Sequence, residues 1–251
     1  MQQIALVTGG AKRIGRSIVE RLAREGYAVA IHCRRSSDAA QALADRIAAE
    51  GGKAAVVQAD LADAVAVGRL VDDAVRVLGP LTLLINNASE FEPDEVGTLS
   101  LERWDRHFAV NLRAPAFLAR DFARQLPADR EGCIVNIVDQ RVWKPTPQFF
   151  SYTLTKAALF TATRTMAQAL APRIRVNAVG PGPTLANERQ GHDDFAKQSS
   201  AVLLGHGGMP EEIAEAVVYL ARARSVTGQM IAVDGGQHLA WETPDVAGIR
   251  E

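Results

Sequence analysis

The chain has 251 residues, 47 % apolar and 23 % charged, which is the composition of an ordinary globular protein and not of a disordered one. Its 28 Lys and Arg against 29 Asp and Glu leave a net charge of −1, so no general pull toward nucleic acid or an anionic membrane is expected. No apolar run approaches the roughly 20 residues that span a bilayer, no basic and apolar leader precedes the first strand-like segment, and the only two cysteines, Cys33 and Cys133, argue against a disulfide framework and lack metal-ligand spacing.

Apolar runs then alternate with helical periodicity along the chain. Ile4–Thr8 reads as a buried strand, and Arg13–Glu25 as a helix with Ile14, Ile18 and Leu22 on one face. A strand over Tyr27–Cys33 precedes a helix over Ser37–Glu50. The strand Lys53–Gln58 precedes a helix over Val65–Leu78, and Leu81–Asn86 is the next strand. Leu101–Gln125 reads as helix with a break near Pro115. Cys133–Val138 is a strand, and Ser151–Ala171 is a long helix stopped by Pro172. Arg173–Val179, a helix over Glu211–Ala221 and a strand over Gln229–Val233 complete the series.

Strands with interposed helices predict a doubly wound parallel sheet covered on both faces, in a single domain over residues 1–251. Ligands of such sheets sit beyond the carboxyl ends of the strands. Pro183–Met209 is the least regular stretch and is expected to form a lid, with a short helix near Asp193–Ser199. A soluble, reducing, cytoplasmic setting is expected, with no metal. His107, His192, His206 and His238 have no ligand spacing, so surface or capping roles are expected of them.

The turn Thr8-Gly9-Gly10-Ala11-Lys12-Arg13-Ile14-Gly15 joins the first strand to the first helix. Glycines let backbone approach a phosphate, and the helix N-terminus offers free N–H groups. In this place dinucleotide binding is the expectation, with Gly9, Lys12, Arg13 and Ile14 at the phosphates; the alternative is a tight turn without ligand. After the second strand, cofactors with a free ribose 2′-hydroxyl usually meet an acid. This chain has His32-Cys33-Arg34-Arg35-Ser36. Arg34 and Arg35 suit a 2′-phosphate, and Ser36 can cap the next helix and donate to the same group, so His32 to Ser36 point to NADP(H). Asp60-Leu61 is placed to accept from an adenine amino group.

Tyr152 and Lys156 are spaced i, i+4 and share a helix face. A phenol beside an ammonium is helped to ionise and can then exchange a proton as hydride arrives. Together with the Thr8–Gly15 turn, Asp60-Leu61, Asn86-Asn87-Ala88, Asn111, Pro181-Gly182 and Asp234-Gly235-Gly236, this pair makes nearly the whole chain resemble the short-chain dehydrogenase/reductase family. The resemblance implies a Rossmann fold with seven parallel strands in the order 3-2-1-4-5-6-7, an NADPH cofactor contacted also by Asn87, Ala88, Ser89, Pro181 and Gly182, and a homotetramer. It implies Tyr152 as acid, Lys156 as the cation that lowers its pKa and holds the nicotinamide ribose, and Asn111 as anchor of a relay water.

Two departures point within the family. Arg13 stands where the family usually has a glycine, and Asp139, 13 residues before Tyr152, where it usually has serine. Both resemble the pteridine reductase branch, which includes bacterial dihydromonapterin and dihydrofolate reductases, as does Ser89-Glu90-Phe91. A flat pterin can stack on Phe91, worth about 0.5–1.5 kcal/mol beyond burial. Arg13 can bridge phosphate and pterin, Ser89 can meet the ligand, and Asp139 can share proton delivery to nitrogen with Tyr152. Trp143, Phe149 and Phe150 either line the pocket or pack elsewhere. The alternatives are a carbonyl reductase of a 3-oxoacyl thioester or sugar, and an NADP-sensing protein without turnover.

Overall fold

The computed structural model describes residues 2–186, 192–243 and 247. Seven strands form one parallel sheet in the order β3-β2-β1-β4-β5-β6-β7. They are β1 (Ile4–Val7), β2 (Ala28–Cys33), β3 (Ala54–Gln58), β4 (Leu83–Asn86), β5 (Gly132–Ile137), β6 (Ile174–Pro181) and β7 (Met230–Val233). β1, β2, β4 and β5 are buried at every position, which is why they read as unbroken apolar runs and not as alternation.

Among the described residues the helices are α1 (Arg13–Arg24), α2 (Ser37–Ala49), α3 (Ala64–Leu78), α4 (Leu101–Phe108), α5 (Ala114–Gln125), α6 (Phe150–Leu170), α7 (His192–Ser200) and α8 (Pro210–Arg222), and they pack on both faces of the sheet except α7, which borders the cleft. Ile18 and Leu22 of α1 pack with Leu43 of α2, Val217 of α8 and the side chains Val7, Val29 and Ile31. On the opposite face Leu70 of α3 and Phe122 of α5 pack with Leu6, Leu84 and Ile134. Alternate residues of each strand therefore feed two separate cores, as the two-residue strand period requires.

The sheet order and both helical layers match the sequence expectation. One detail differs. The break expected near Pro115 lies earlier, as a π turn at Ala109–Arg113, while Pro115 sits in the first turn of α5, where a missing N–H costs nothing. A π turn inserts an extra residue into a helix and often marks a functional position. Here it carries the fully buried Asn111. The short helix expected near Asp193–Ser199 is α7; residues 187–191 of the expected lid lie outside the described residues. Among the described residues no helix is long and apolar enough to cross a membrane.

Candidate active site

The loops after β1, β2, β4, β5 and β6 open onto two adjoining cavities of about 650 and 630 Å³. Arg13, Ile14, Asn87, Ser89, Phe91 and Tyr152 line both, so they form one continuous cleft.

On the β1 side the cleft is made mostly of backbone. Gly9 has φ +63°, and a side chain at Gly15 would meet the Gly9 carbonyl at 2.1 Å. The N-cap residue of α1, Lys12, makes no side-chain cap bond, and the first turn holds no acid, so free N–H groups and two cations face the cleft. That uncapped, cationic helix end fits a dinucleotide pyrophosphate. Arg13 is held at φ +53°, a conformation that costs a non-glycine residue roughly 1–2 kcal/mol. This explains why the family uses glycine there. Its guanidinium donates to the carbonyls of Ala186 (2.8 Å) and Leu185 (3.1 Å), tying the turn to the start of the 183–209 segment.

His32 is among the residues that line the cleft. It is buried, and its Nδ1 accepts the Gly9 N–H at 3.0 Å while Nε2 donates to the Ala59 carbonyl at 3.1 Å. Burial lowers its pKa to about 4, so it is a neutral strut under the turn. Asn87 does similar work, donating to the carbonyls of Thr8 (2.9 Å) and Gly9 (3.1 Å). Beyond β2, Arg34 lines the cleft, whereas Arg35 and Ser36 are not part of its lining. Ser36 is at the N-cap of α2, but its hydroxyl makes no cap bond, contrary to expectation. Leu61 and Ala88 line the cleft with Asp60, whose Oδ1 accepts from Ala62 N–H at 2.9 Å.

On the β5 side, Tyr152 Oη donates to Asp139 Oδ2 at 2.8 Å. Asp139 Oδ1 accepts the Arg141 N–H at 2.9 Å. Burial, then the Asp139 charge and hydrogen bond, hold the phenol well above its ordinary pKa, with Arg141 opposing. The expected lowering by Lys156 is therefore corrected: burial and Asp139 outweigh it, and Tyr152 is a protonated donor. Lys156 is buried, donates to the Ile137 carbonyl at 2.9 Å, and lies 5.6 Å from the Tyr152 ring centre. Burial lowers its own pKa to about 8. Pro181 and Gly182 line the same cavity.

Phe91 lines the cleft with its ring centre 4.6 Å from that of Tyr152, edge to face. One face of Phe91 is already covered by Phe149, parallel at 4.2 Å. The Arg141 guanidinium carbon lies 5.5 Å from the Phe91 ring centre, so Phe91 is stacked and flanked by a cation within the cleft. Trp143 instead tilts against His238, with ring centres 4.8 Å apart.

Asn111 is held through its side chain by protein groups. Its Oδ1 accepts from Glu90 N–H (2.8 Å) and Ser89 Oγ (3.3 Å), and its Nδ2 donates to the Glu90 carbonyl (2.9 Å) and Thr155 Oγ1 (3.2 Å). Protein groups thus reach both its amide oxygen and its amide nitrogen. It fastens the substrate-side loop to α6.

Sequence reasoning missed a second fastening. His107, expected in a surface or capping role, is fully buried. Its Nε2 accepts the Glu92 N–H (3.1 Å), and its Nδ1 donates to Ser151 Oγ (2.6 Å), which in turn donates to Asp94. Burial lowers the His107 pKa, which keeps this donor order. Asp94 also accepts the Ser151 N–H at 3.1 Å, capping α6 from a different segment. The helix has no side-chain cap of its own, since Phe149 occupies the N-cap with φ +55°. No sequence pattern marks a cap 57 residues away. Arg106 was missed too; it lines the cleft opposite Arg34.

With this geometry, residues 9–238 match the family model described as enoyl-(acyl carrier protein) reductase. The chain belongs to the short-chain dehydrogenase/reductase family. Within it, the chain is 58 % identical to the FolM alternative dihydrofolate reductase 1 structures from Brucella canis and Brucella suis, both solved with NADP. The TM-score is 0.95 in both cases, covering 97 % of this chain and 97 % and 98 % of those chains. It is also 33 % identical to the 3-oxoacyl-[acyl-carrier-protein] reductase FabG of Staphylococcus aureus (strain Mu50) over 95 % of this chain and 99 % of that protein. The FolM likeness matches the pteridine reductase branch, and the FabG likeness shares with it the oxidoreductase family.

Proposed function

We propose that the chain is an NADPH-dependent reductase of a pterin-type ring, such as dihydromonapterin, dihydrobiopterin or dihydrofolate. The observation that carries it is the 2.8 Å contact of Tyr152 with Asp139, beside an aromatic face at Phe91. A serine in place of Asp139 orients a phenol; a carboxyl can also take up a proton from solvent and return it to the phenol after the phenol has protonated the ring nitrogen.

Bound NADPH supplies the hydride to the ring carbon of a C=N bond. The residues then have separable tasks. The α1 N-terminus with Gly9, Lys12, Arg13 and Ile14 holds the phosphates, Arg34 the 2′-phosphate, and Asp60 and Leu61 the adenine. Asn87, Ala88, Ser89, Pro181 and Gly182 border the rest, and Lys156 donates to the nicotinamide ribose. Phe91 and Ser89 orient the ring. Tyr152 passes its phenolic proton to the ring nitrogen as the C=N π pair moves onto that nitrogen. Asp139, hydrogen-bonded to the phenol, returns a proton taken from solvent. One hydride and one proton are consumed for each bond reduced. We further propose that 183–209 covers the cleft, since Asp194, Phe195 and Gln198 of α7 line it, and that the protein works as a cytoplasmic homotetramer.

The second reading, reduction of a 3-oxoacyl thioester, draws on the FabG likeness. Following NADPH oxidation with dihydropterins, dihydrofolate and acetoacetyl thioesters separates them. Pterin turnover is expected; thioester turnover alone would overturn the first reading.

A further inference from the structure

Glu90 is an acid beside the proposed 2′-phosphate site. Its Oε2 lies 3.5 Å from Arg34 Nη1, on the wall of the same cleft. An acid close to the end of the second strand ordinarily favours a free ribose hydroxyl and repels a phosphate. Left alone with Arg34, Glu90 would both occupy that guanidinium and oppose the incoming anion.

Arg106 of α4 changes this balance. Its Nε is 3.2 Å from Glu90 Oε1, closer than Arg34 comes to the same carboxylate, and its Nη1 is 3.8 Å from Asp60 Oδ2. Arg106 thus sits between two acids that line the cleft. Its side chain is 31 % exposed and that of Glu90 is 21 % exposed, so solvent screens the contact only in part. Burial pushes Glu90 up, and Arg34, which also donates to it at 3.5 Å, pulls it down against the Glu92 and Asp60 charges, so without nucleotide Glu90 holds Arg34 as well as Arg106. Nothing in the proposed chemistry otherwise uses Arg106.

We propose that Arg106 is a specificity-determining residue: it takes the Glu90 carboxylate, so that Arg34 is released to the ribose 2′-phosphate. Arg106 acts through Glu90 and is therefore a positioning residue for cofactor choice. The role rests on the NADP(H) reading given above. It also predicts that the acid at position 90 is tolerated only while position 106 is basic.

The test is a binding cycle on the full-length protein, titrating NADPH and NADH by intrinsic fluorescence for wild type, Arg106→Gln, Glu90→Gln and the double variant. Arg106→Gln is expected to weaken NADPH about tenfold and NADH less than about threefold, the scale of one partly screened charge coupling. Glu90→Gln added to it is expected to restore NADPH to within about threefold of wild type. Equal losses for both nucleotides would overturn the role of Arg106. A double variant that fails to recover would overturn action through Glu90 and assign a direct contact. Wild type preferring NADH would overturn the cofactor reading itself, with the proposal that rests on it.

Discussion

The two ends of the cleft are built by different means. The β1 end is a backbone device: a glycine turn, an uncapped helix N-terminus and the neutral strut His32 beneath it. The β5 end is a side-chain device, in which Asn111, His107, Asp94 and Ser151 pin the loop carrying Phe91 to the helix carrying Tyr152. A backbone device needs only short sequence runs and tolerates variation around them. A side-chain device needs partners brought from distant segments, and a single substitution disturbs it. The first end therefore suits the constant task of holding a dinucleotide, and the second suits a choice of substrate.

The sharpest break between the two ends is Tyr152→Phe. It is expected to lower turnover about a thousandfold, within the range for one acid–base group, while NADPH affinity measured by fluorescence stays within about twofold. A parallel loss of NADPH binding would show that the ends are not separable.

Asp94→Ala comes next. It strips the cap from α6 and leaves the Ser151 N–H and hydroxyl without their acceptor, loosening the Ser151 that His107 donates to. Breaking a buried charged bond of this kind costs about 2–4 kcal/mol, which for a chain of this size lowers Tm by about 5–12 °C. Turnover is expected to fall about tenfold or more with NADPH affinity unchanged, and Asp94→Asn is expected to recover part of both. Calorimetry with a nucleotide titration checks it.

His32 gives a pH test of the β1 end. Its folded pKa of about 4 lies below the ordinary 6.5, so the unfolded chain binds the extra proton in that window. Stability therefore falls as pH drops from about 6.5 to 4, by about 3 kcal/mol from this group alone. His107, also lowered, adds to the same trend. His32→Asn is expected to be less stable at pH 7 but to show a flatter Tm profile between pH 6.5 and 4.

The smallest effect is expected for Arg13→Gly. Relief of the left-handed backbone is offset by lost bonds to Leu185 and Ala186, so Tm should move by no more than about 3 °C. A large fall would show that the contact to the 183–209 segment outweighs the strain.

The same contrast explains what the sequence made legible. The sheet could be read because Ile4–Val7, Ala28–Cys33 and Leu83–Asn86 are buried on both faces, and the Tyr152–Lys156 spacing needs only one helix. Asp139 could be placed because it closes the strand before that helix. The substrate-side fastening was hidden. His107 carries no local pattern that distinguishes a hub from a surface residue, Asp94 caps a helix from another segment, and the π turn that buries Asn111 leaves no periodic mark. The bond from His32 to Gly9, which makes it a support of the turn as well as part of the cleft wall, was not legible either, because it joins two segments. Arg106 was missed because its partners, Glu90 and Asp60, come from two other loops.

The central claim is that a carboxyl beside the phenol suits this site to reduction at ring nitrogen. It is tested most directly by kcat/KM for a dihydropterin and for an acetoacetyl thioester, in wild type and in Asp139→Ser. Wild type is expected to prefer the dihydropterin, and the substitution to cut that activity about tenfold or more without lowering the thioester rate. An equal loss on both substrates, or a wild type that reduces only the thioester, would contradict it.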